Sequence, residues 1–359
     1  MYWLWLSLKA SVSPLQINAL IKHFGSAEAV YRATSYNGIM ASGTKGIREL
    51  EDKSMEDAGN VIRRMKEIGG RIITIEDAEY PALLKEIYAP PVVIYALGAE
   101  LGNRDELRIA VVGTRKYSSY GRRACERLSK SLAEKGVTIV SGMALGVDTF
   151  AAAAAIGAGQ KTIAVLGSGV DVIYPYQNRE LYKAILQNGT IISEYPPGTR
   201  PLGYNFPRRN RIIAGLAQGT LVIQAPVKSG ALITARYALD NNRDVFAVPG
   251  EIYDINQAGS NELIKSGAKP VTCAEDILEE YGFENPGNKD DADRLAGIDM
   301  SGLSKIEASI LKLLSVNAQH PDEITRKLGA PGAEIATALM MLEISGLVVR
   351  DSGNIYALS

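Results

Sequence analysis

The chain has 359 residues, 46% of them hydrophobic, 35 glycines and a formal net charge of −1, which makes it too long for one average domain and too apolar for a disordered chain. With no overall positive field, any hold on a polyanion must come from local basic clusters. Cys125 and Cys273 are its two cysteines and His23 and His320 its two histidines, a supply that argues against a disulfide framework, a zinc site or a histidine-centred catalyst and suits a reducing cytoplasm.

The opening MYWLWLSLKA is apolar but lacks a basic start, a long apolar run and a small-residue cleavage pattern. It is expected to anchor a first helix through Trp3, Trp5 and Leu6. No run reaches transmembrane length, so no membrane partner is expected. Ser13-Pro14-Leu15-Gln16 joins a capping serine, a proline suited to the first helical position and a glutamine placed to close a capping box. A helix should follow with Leu15, Ala19, Leu20 and Phe24 on its apolar face and Gly25 as its stop. Glu56 to Ile68 reads as a later helix ended by Gly69-Gly70. Residues 1–70 are expected to form a small helical domain, SAM-like or helix-hairpin-helix-like. Its turn Gly43-Thr44-Lys45-Gly46 is either an ordinary loop, the preferred reading, or a phosphate-gripping turn.

Arg71 to Ile75 and Val92 to Leu97 look like short strands leading into a central domain, 71–280. The next strand candidates are Ile109 to Val112, Val137 to Val140, Thr162 to Leu166, Thr190 to Ser193, Thr220 to Gln224 and Val245 to Val248. Helical stretches separate nearly all of them. Near-continuous apolar strands between helices indicate an α/β fold with a doubly wound, mostly parallel sheet, whose ligands sit beyond the carboxyl ends of the strands. Residues 281–303, rich in Asn, Asp and Gly, read as a linker. Three helices and a hairpin with its turn at Asp351 to Asn354 then suggest a winged-helix-like domain over 304–359. Its third helix, Gly332 to Ser345, has Glu334 and Glu343 and no Lys or Arg, so protein contact or a cap on the central domain is preferred there over DNA reading.

Three turns of the central domain carry the chemistry: RIAVVGTRKYSSYG (Arg108 to Gly121), SGMALGVD (Ser141 to Asp148) and VLGSGVDVIYP (Val165 to Pro175). Each follows a strand and precedes a helix, where free N–H groups attract phosphates. Gly113, Ser141-Gly142 and Gly167-Ser168-Gly169 either admit a ligand to the backbone or allow tight packing. Arg115 lies in the first turn, where a guanidinium can grip phosphate in two-pronged fashion. Arg122, Arg123 and Arg127 read as a solvated helix face. An arginine-rich turn follows, NFPRRNR (Asn205 to Arg211). From Pro196 to Arg211 the chain has Arg200, Arg208, Arg209 and Arg211 and no acid, interleaved with Tyr204 and Phe206 beside Asn210. Cations beside aromatic faces are what a single strand requires. Lys228-Ser229-Gly230-Ala231 opens a helix and adds another anion site. Asp148, Asp171 and Glu194 are expected to cap helices or tether loops. No catalytic set, metal site or cofactor is expected, and neither a triphosphate-binding nor a dinucleotide-binding glycine pattern occurs.

These residues resemble the DNA processing protein A family (DprA, also called Smf). The likeness rests on GTRKYSSYG, SGMALGVD, VLGSGVDVIYP, SEYPPG, NFPRRNRIIAGL and SGALITARYAL in that order, across most of Arg71 to Ala268. It implies an extended Rossmann-like fold that binds single-stranded DNA without sequence preference. It further implies a homodimer that protects incoming DNA and loads the RecA recombinase in natural transformation. Carried over, the phosphate and base contacts fall on Gly113, Arg115, Ser141, Gly142, Phe206 and the run Arg209-Asn210-Arg211. Relatives often have a lysine where this chain has Gly203, and many have a basic residue where it has Tyr176. Arg200 and Arg208 are the expected compensation.

Two alternatives belong to other classes. Related Rossmann-like proteins hydrolyse nucleoside monophosphates with a PGGxGT turn followed by a catalytic glutamate. Here the turn is Ser229-Gly230-Ala231-Leu232, and Ile233-Thr234-Ala235-Arg236 brings no glutamate. A winged-helix DNA-binding regulator is the other, weakened by the acidic third helix.

Overall fold

The computed structural model describes residues 1–41, 43–101, 106–282, 303–316, 319–351 and 355–358, which fall in two compact units, Met1–Ile277 and Leu278–Ser359. The first unit opens with five helices: α1 (Tyr2–Ser7), α2 (Pro14–Phe24), α3 (Ala27–Arg32), α4 (Lys45–Glu51) and α5 (Glu56–Glu67). The capping box at Ser13 forms in full. Its hydroxyl accepts from the Gln16 N–H at 3.3 Å, the Gln16 side chain accepts from the Ser13 N–H at 2.8 Å, and Gly25 closes α2 at φ +88°. The buried face of α2 differs from the expected one: Ile17 and Leu20 point inward while Leu15 and Ala19 are exposed. Ile17, Leu20, Ile21 and Phe24 are the set that repeats at i, i+3, i+4 and i+7. Gly46 lies inside α4, where a Cβ would come within 2.7 Å of the Met40 methyl.

Nine strands follow: β1 (Arg71–Thr74), β2 (Val93–Gly98), β3 (Arg108–Val112), β4 (Thr138–Ser141), β5 (Thr162–Leu166), β6 (Thr190–Ser193), β7 (Gly219–Val222), β8 (Asp244–Ala247) and β9 (Lys269–Pro270). They build one sheet in the order β1-β2-β6-β5-β4-β3-β7-β8-β9. β1 and β2 pair antiparallel, as do β2 and β6, and from β6 to β9 every pairing is parallel. The remaining helices of this unit that bear on the site are α6 (Ala82–Lys85), α7 (Ser119–Glu134), α8 (Val147–Gly157), α9 (Arg179–Asn188), α10 (Asn205–Gly215) and α11 (Gly230–Asp240).

Alternation along the strands divides the core. Val93, Tyr95 and Leu97 of β2 join Leu166 of β5 and Ile191 of β6 on one face, while Ile94, Ala96, Val165 and Ile192 face the other way. The first face is shared with Leu4, Trp5, Leu6, Leu20 and Leu50, so residues 1–70, read above as a domain of their own, pack in one apolar cluster with the sheet. The second face is covered by α6, α10 and α11 through Leu84, Ile212, Ile213, Ala231 and Ala235. Each fully buried aliphatic side chain contributes about 1.5–3 kcal/mol.

Among the described residues the second unit has the α-helices Lys305–Val316, Pro321–Leu328 and Gly332–Ile344 and an antiparallel pair, β10 (Val348–Asp351) with β11 (Ile355–Leu358). Ile310, Leu314, Ile324, Ile335, Leu339 and Leu342 form its core. The Gly332–Ile344 helix, in the place of a DNA reader but not preferred as one, turns Met340, Met341, Ile344, Glu334 and Glu343 to solvent. The expected linker lies outside the described residues except for Tyr281, Gly282 and Leu303, and so does the turn expected at Asp351 to Asn354 except for Asp351. Among the described residues, no helix is long and apolar enough to cross a membrane.

Because the N-terminal helices and the sheet share a core, Leu20→Ala is expected to destabilise both together. The loss should be about 2–5 kcal/mol. It is measured as equal shifts in the denaturant midpoint read by tryptophan fluorescence, which reports on residues 3 and 5, and by amide exchange in β5. A shift confined to the fluorescence would mean that the helical layer melts separately.

Candidate nucleic-acid interface

The chain runs outward from β3 through β4 and β5 to β6 and then returns to lay β7 against the other side of β3. Open α/β sheets hold ligands at such a reversal, beyond the carboxyl ends of the strands. A cleft of about 540 Å³ lies there, lined by the turns after β3, β4 and β7 together with Tyr174 and the start of α10.

The first turn is fixed from β7. The Thr114 N–H donates to the Gln224 carbonyl at 2.7 Å, the Ser118 N–H donates to the Gln224 side chain at 3.0 Å, and Ser118 caps α7. The second turn packs directly on the first. At Gly146, φ +85°, a Cβ would stand 2.6 Å from the Thr114 carbonyl oxygen. Met143 is held in the left-handed region at φ +55° with its side chain wholly buried, so the core fixes a conformation that the residue alone disfavours. The third turn is tied to the N-terminal helices: Asp171 accepts from Arg64 at 3.1 Å and from the Gly198 N–H at 2.7 Å.

The stretch NFPRRNR, expected as a turn, is the first two turns of α10. Pro207 is accommodated in the first turn of a helix, where no N–H partner is needed. Helical spacing then sends the arginines apart. Arg208 is exposed and lies over the Tyr204 ring at 5.6 Å, while Arg211 pairs with Glu194. Arg209 turns inward and is 4% exposed. Its guanidinium donates to the Gly142 carbonyl at 2.8 Å, to the Val165 carbonyl and, through Nε, to the Asn210 side chain at 3.2 Å. Burial lowers its pKa to about 10, opposed by the charge of Asp148, so it stays cationic at neutral pH. Burial likewise pushes the Asp148 carboxyl up, against the pull of Arg209 and of N–H donors from Ala144 and Gly142 at 3.3 and 3.2 Å.

At the mouth of the cleft the exposed Arg115 guanidinium stands 5.7 Å from the Phe206 ring centroid, Arg209 stands 5.8 Å from it, and the Tyr174 ring lies 5.5 Å away at 33°. Lys116 and Lys228 are exposed on the same lining. Among the described lining residues the cations Arg115, Lys116, Arg209 and Lys228 face the single carboxylate of Asp148. The Ser229 side chain caps α11 by accepting from the Ala231 N–H at 3.2 Å, and Gly230 has open space where a Cβ would stand. The arrangement offers cations and a helix start to an anion and an aromatic face to a base.

The cleft brings together Gly113, Arg115, Phe206, Arg209, Asn210, Ser229 and Gly230. Ser141, Gly142, Gly167, Ser168, Arg208 and Arg211 do not line it. The Ser141 hydroxyl donates to the Val111 carbonyl at 2.8 Å and that of Ser168 to the Val172 carbonyl at 3.2 Å. The expected glycines make room for the protein's own groups. A Cβ at Gly142 would stand 2.7 Å from the Arg209 guanidinium, one at Gly167 2.8 Å from the Phe206 ring, and one at Gly113 2.5 Å from Val147. Arg200 is exposed and lies off the lining. Lining residues not expected from sequence as contacts include Thr114, Lys116 and Tyr174, while Asp148, expected to cap a helix or tether a loop, holds the second turn. Tyr174 stands inside the third turn motif, where an aromatic residue at a strand-to-helix turn was the available signal.

Gly142→Ala is expected to push Arg209 out of its seat and to cost about 1–3 kcal/mol by overpacking. Arg209→Met, which strands Asp148 and two carbonyls, should cost about 3–5 kcal/mol. Urea unfolding of the two variants checks both figures.

Comparison with known proteins agrees with this geometry. The family model of DNA recombination-mediator protein A matches residues 71–282, and that of the DprA winged helix domain matches residues 300–354. Protein Smf of Synechocystis is 34% identical over 390 aligned positions, covering 99% of this chain and 98% of that protein. The DNA processing protein DprA of Streptococcus pneumoniae is 46% identical over 213 positions, covering 58% of this chain and 74% of that protein. Its X-ray structure superposes with a TM-score of 0.68 at 36% identity over 79% of this chain and 99% of the solved one. The Helicobacter pylori DNA processing protein A, solved for its single-stranded DNA binding mode, gives 0.53 at 31% identity over 59% and 95%. The chain belongs to the DNA recombination-mediator protein A family, DprA/Smf.

Proposed function

We propose that the cleft holds single-stranded DNA without sequence preference and that the protein, as a cytoplasmic homodimer, protects such DNA and passes it to the RecA recombinase during natural transformation. The observation that carries this reading is the Arg115, Phe206 and Tyr174 grouping at the mouth of a cleft with four cations and one carboxylate. Phosphates fit the cations and the α11 start. A base reaches the Phe206 face only when unpaired, which favours a single strand over a duplex. Stacking is indifferent to base identity, because every base has a π face. The Helicobacter pylori relative's single-stranded DNA binding mode and the recombination-mediator name of the family support the ligand and the hand-off.

Binding is favoured over nucleotide hydrolysis by what Asp148 does. The carboxylate on the cleft lining accepts two backbone N–H groups and lies opposite Arg209, the work of a tether holding the second turn. Release of free base from nucleoside monophosphates above a no-protein control would overturn this choice.

Arg115→Ala and Phe206→Ala are each expected to weaken single-strand affinity at low salt, the loss of one stacked base being about 1–3 kcal/mol. Arg115→Ala should also reduce the slope of log K against log salt by about 0.7–1, whereas Phe206→Ala leaves it unchanged. Salt-titrated binding of single-stranded and duplex DNA measures both effects. Unchanged affinity in both variants would remove the cleft as the binding site.

A further inference from the structure

Two aromatic–arginine pairs stand outside the cleft, each reached from the Tyr174–Phe206 contact by two residues of chain. Beyond Tyr174, Tyr176 is 66% exposed, and the Arg179 guanidinium lies 5.4 Å from its ring and donates to its hydroxyl at 2.9 Å. Before Phe206, Tyr204 is 60% exposed, with the Arg208 guanidinium 5.6 Å from its ring. Two residues span at most about 7 Å of extended chain, so the Cα atoms of Tyr176 and Tyr204 lie within that reach of those of Tyr174 and Phe206, whose rings meet at the cleft. Neither ring is held by the core. A guanidinium lies over each, and more than half of each residue is open to solvent.

The local charge also suits a polyanion. Glu180 accepts from Arg179 at 3.2 Å and from Lys183 at 3.3 Å, so this segment places two cations around one acid. Among the described residues, no carboxylate stands within ion-pair distance of Arg208. A ring already pinned by an arginine loses little freedom when a base stacks on it, and the same arginine is available to the neighbouring phosphate.

We propose that Tyr176 with Arg179 and Tyr204 with Arg208 are two further stacking stations, which take up bases of a single strand after it leaves the cleft. This rests on the reading of the cleft as a single-strand site and extends it from one pocket to a track. The stations set how long a strand must be for full affinity. They recognise the π face of a base and the charge of a phosphate, and no base edge.

The test is binding of oligothymidylates of about 6 and about 20 nucleotides, bracketing the site sizes of single-strand binders, to the full chain and its variants. Tyr176→Ala combined with Tyr204→Ala is expected to weaken the long strand by roughly 5- to 150-fold for each station lost, to leave the short strand within about twofold, and to leave the salt slope unchanged. Phenylalanine at both positions should restore the long-strand affinity. Unaltered long-strand binding in the double alanine variant overturns the stations, and so does an equal loss for both lengths. Arg115→Ala, measured alongside, separates the two readings. If it weakens both lengths while the tyrosine variant weakens neither, the cleft stands and the track falls. If it weakens neither length while the tyrosine variant weakens the long strand, the stations stand and the cleft falls.

Discussion

A buried guanidinium is the constraint on which the cleft depends. Moving a cation out of water is unfavourable by several kcal/mol unless charge and hydrogen bonds replace its hydration. Arg209 is given both, from four directions. Two carbonyls, one at the end of β5 and one in the turn after β4, accept from it, Asn210 accepts beside it, and Asp148 supplies the opposite charge. The Gly142 peptide takes part at both ends, its N–H on Asp148 and its carbonyl on Arg209. One side chain thus fixes α10 against two crossover turns. Phe206, three residues earlier on the same helix, is placed by the same anchorage over Gly167. The aromatic face and the buried cation are thus held by the protein's own contacts, which would limit the ordering that binding of a ligand requires.

The sheet was legible because short apolar runs between helices leave few other solutions. Thr162–Leu166 and Thr190–Ser193 are strands over the very residues expected. The purpose of the glycines was not legible in the same way. A glycine after a strand signals space, and sequence alone does not say what fills it. Gly142 and Gly167 make room for Arg209 and Phe206, partners 67 and 39 positions further on, a pairing that only the folded crossovers create. The arginine run, expected as a turn, opens a helix instead, and the Pro207 before it suits a first helical turn. Once the segment is helical, adjacent arginines cannot share a direction, and the cluster resolves into one buried anchor, one surface charge and one partner for Glu194.

Helical patterning ending at Gly69-Gly70 also suggested a separate domain, a break that packing does not respect. Trp5, Leu6 and Leu20 contact the same cluster as Tyr95 and Leu166, because the sheet exposes an apolar face that something must cover. Patterning along the helices marked that these residues were apolar, but not which surface would receive them. In the second unit, helical period and the strand pair were enough to read the fold, and the acidic, methionine-bearing face of Gly332–Ile344 follows from the residues left over once the core positions are filled.

The sheet finishes at β9, two residues of which one is Pro270. A proline has no N–H to offer, and a strand this short gives an incoming backbone almost no ladder to join. That border is therefore sealed against edge-to-edge growth, the route by which parallel sheets polymerise. Any pairing of two copies on that side has to be written in side chains, where a few substitutions can tune or abolish it without unravelling the sheet.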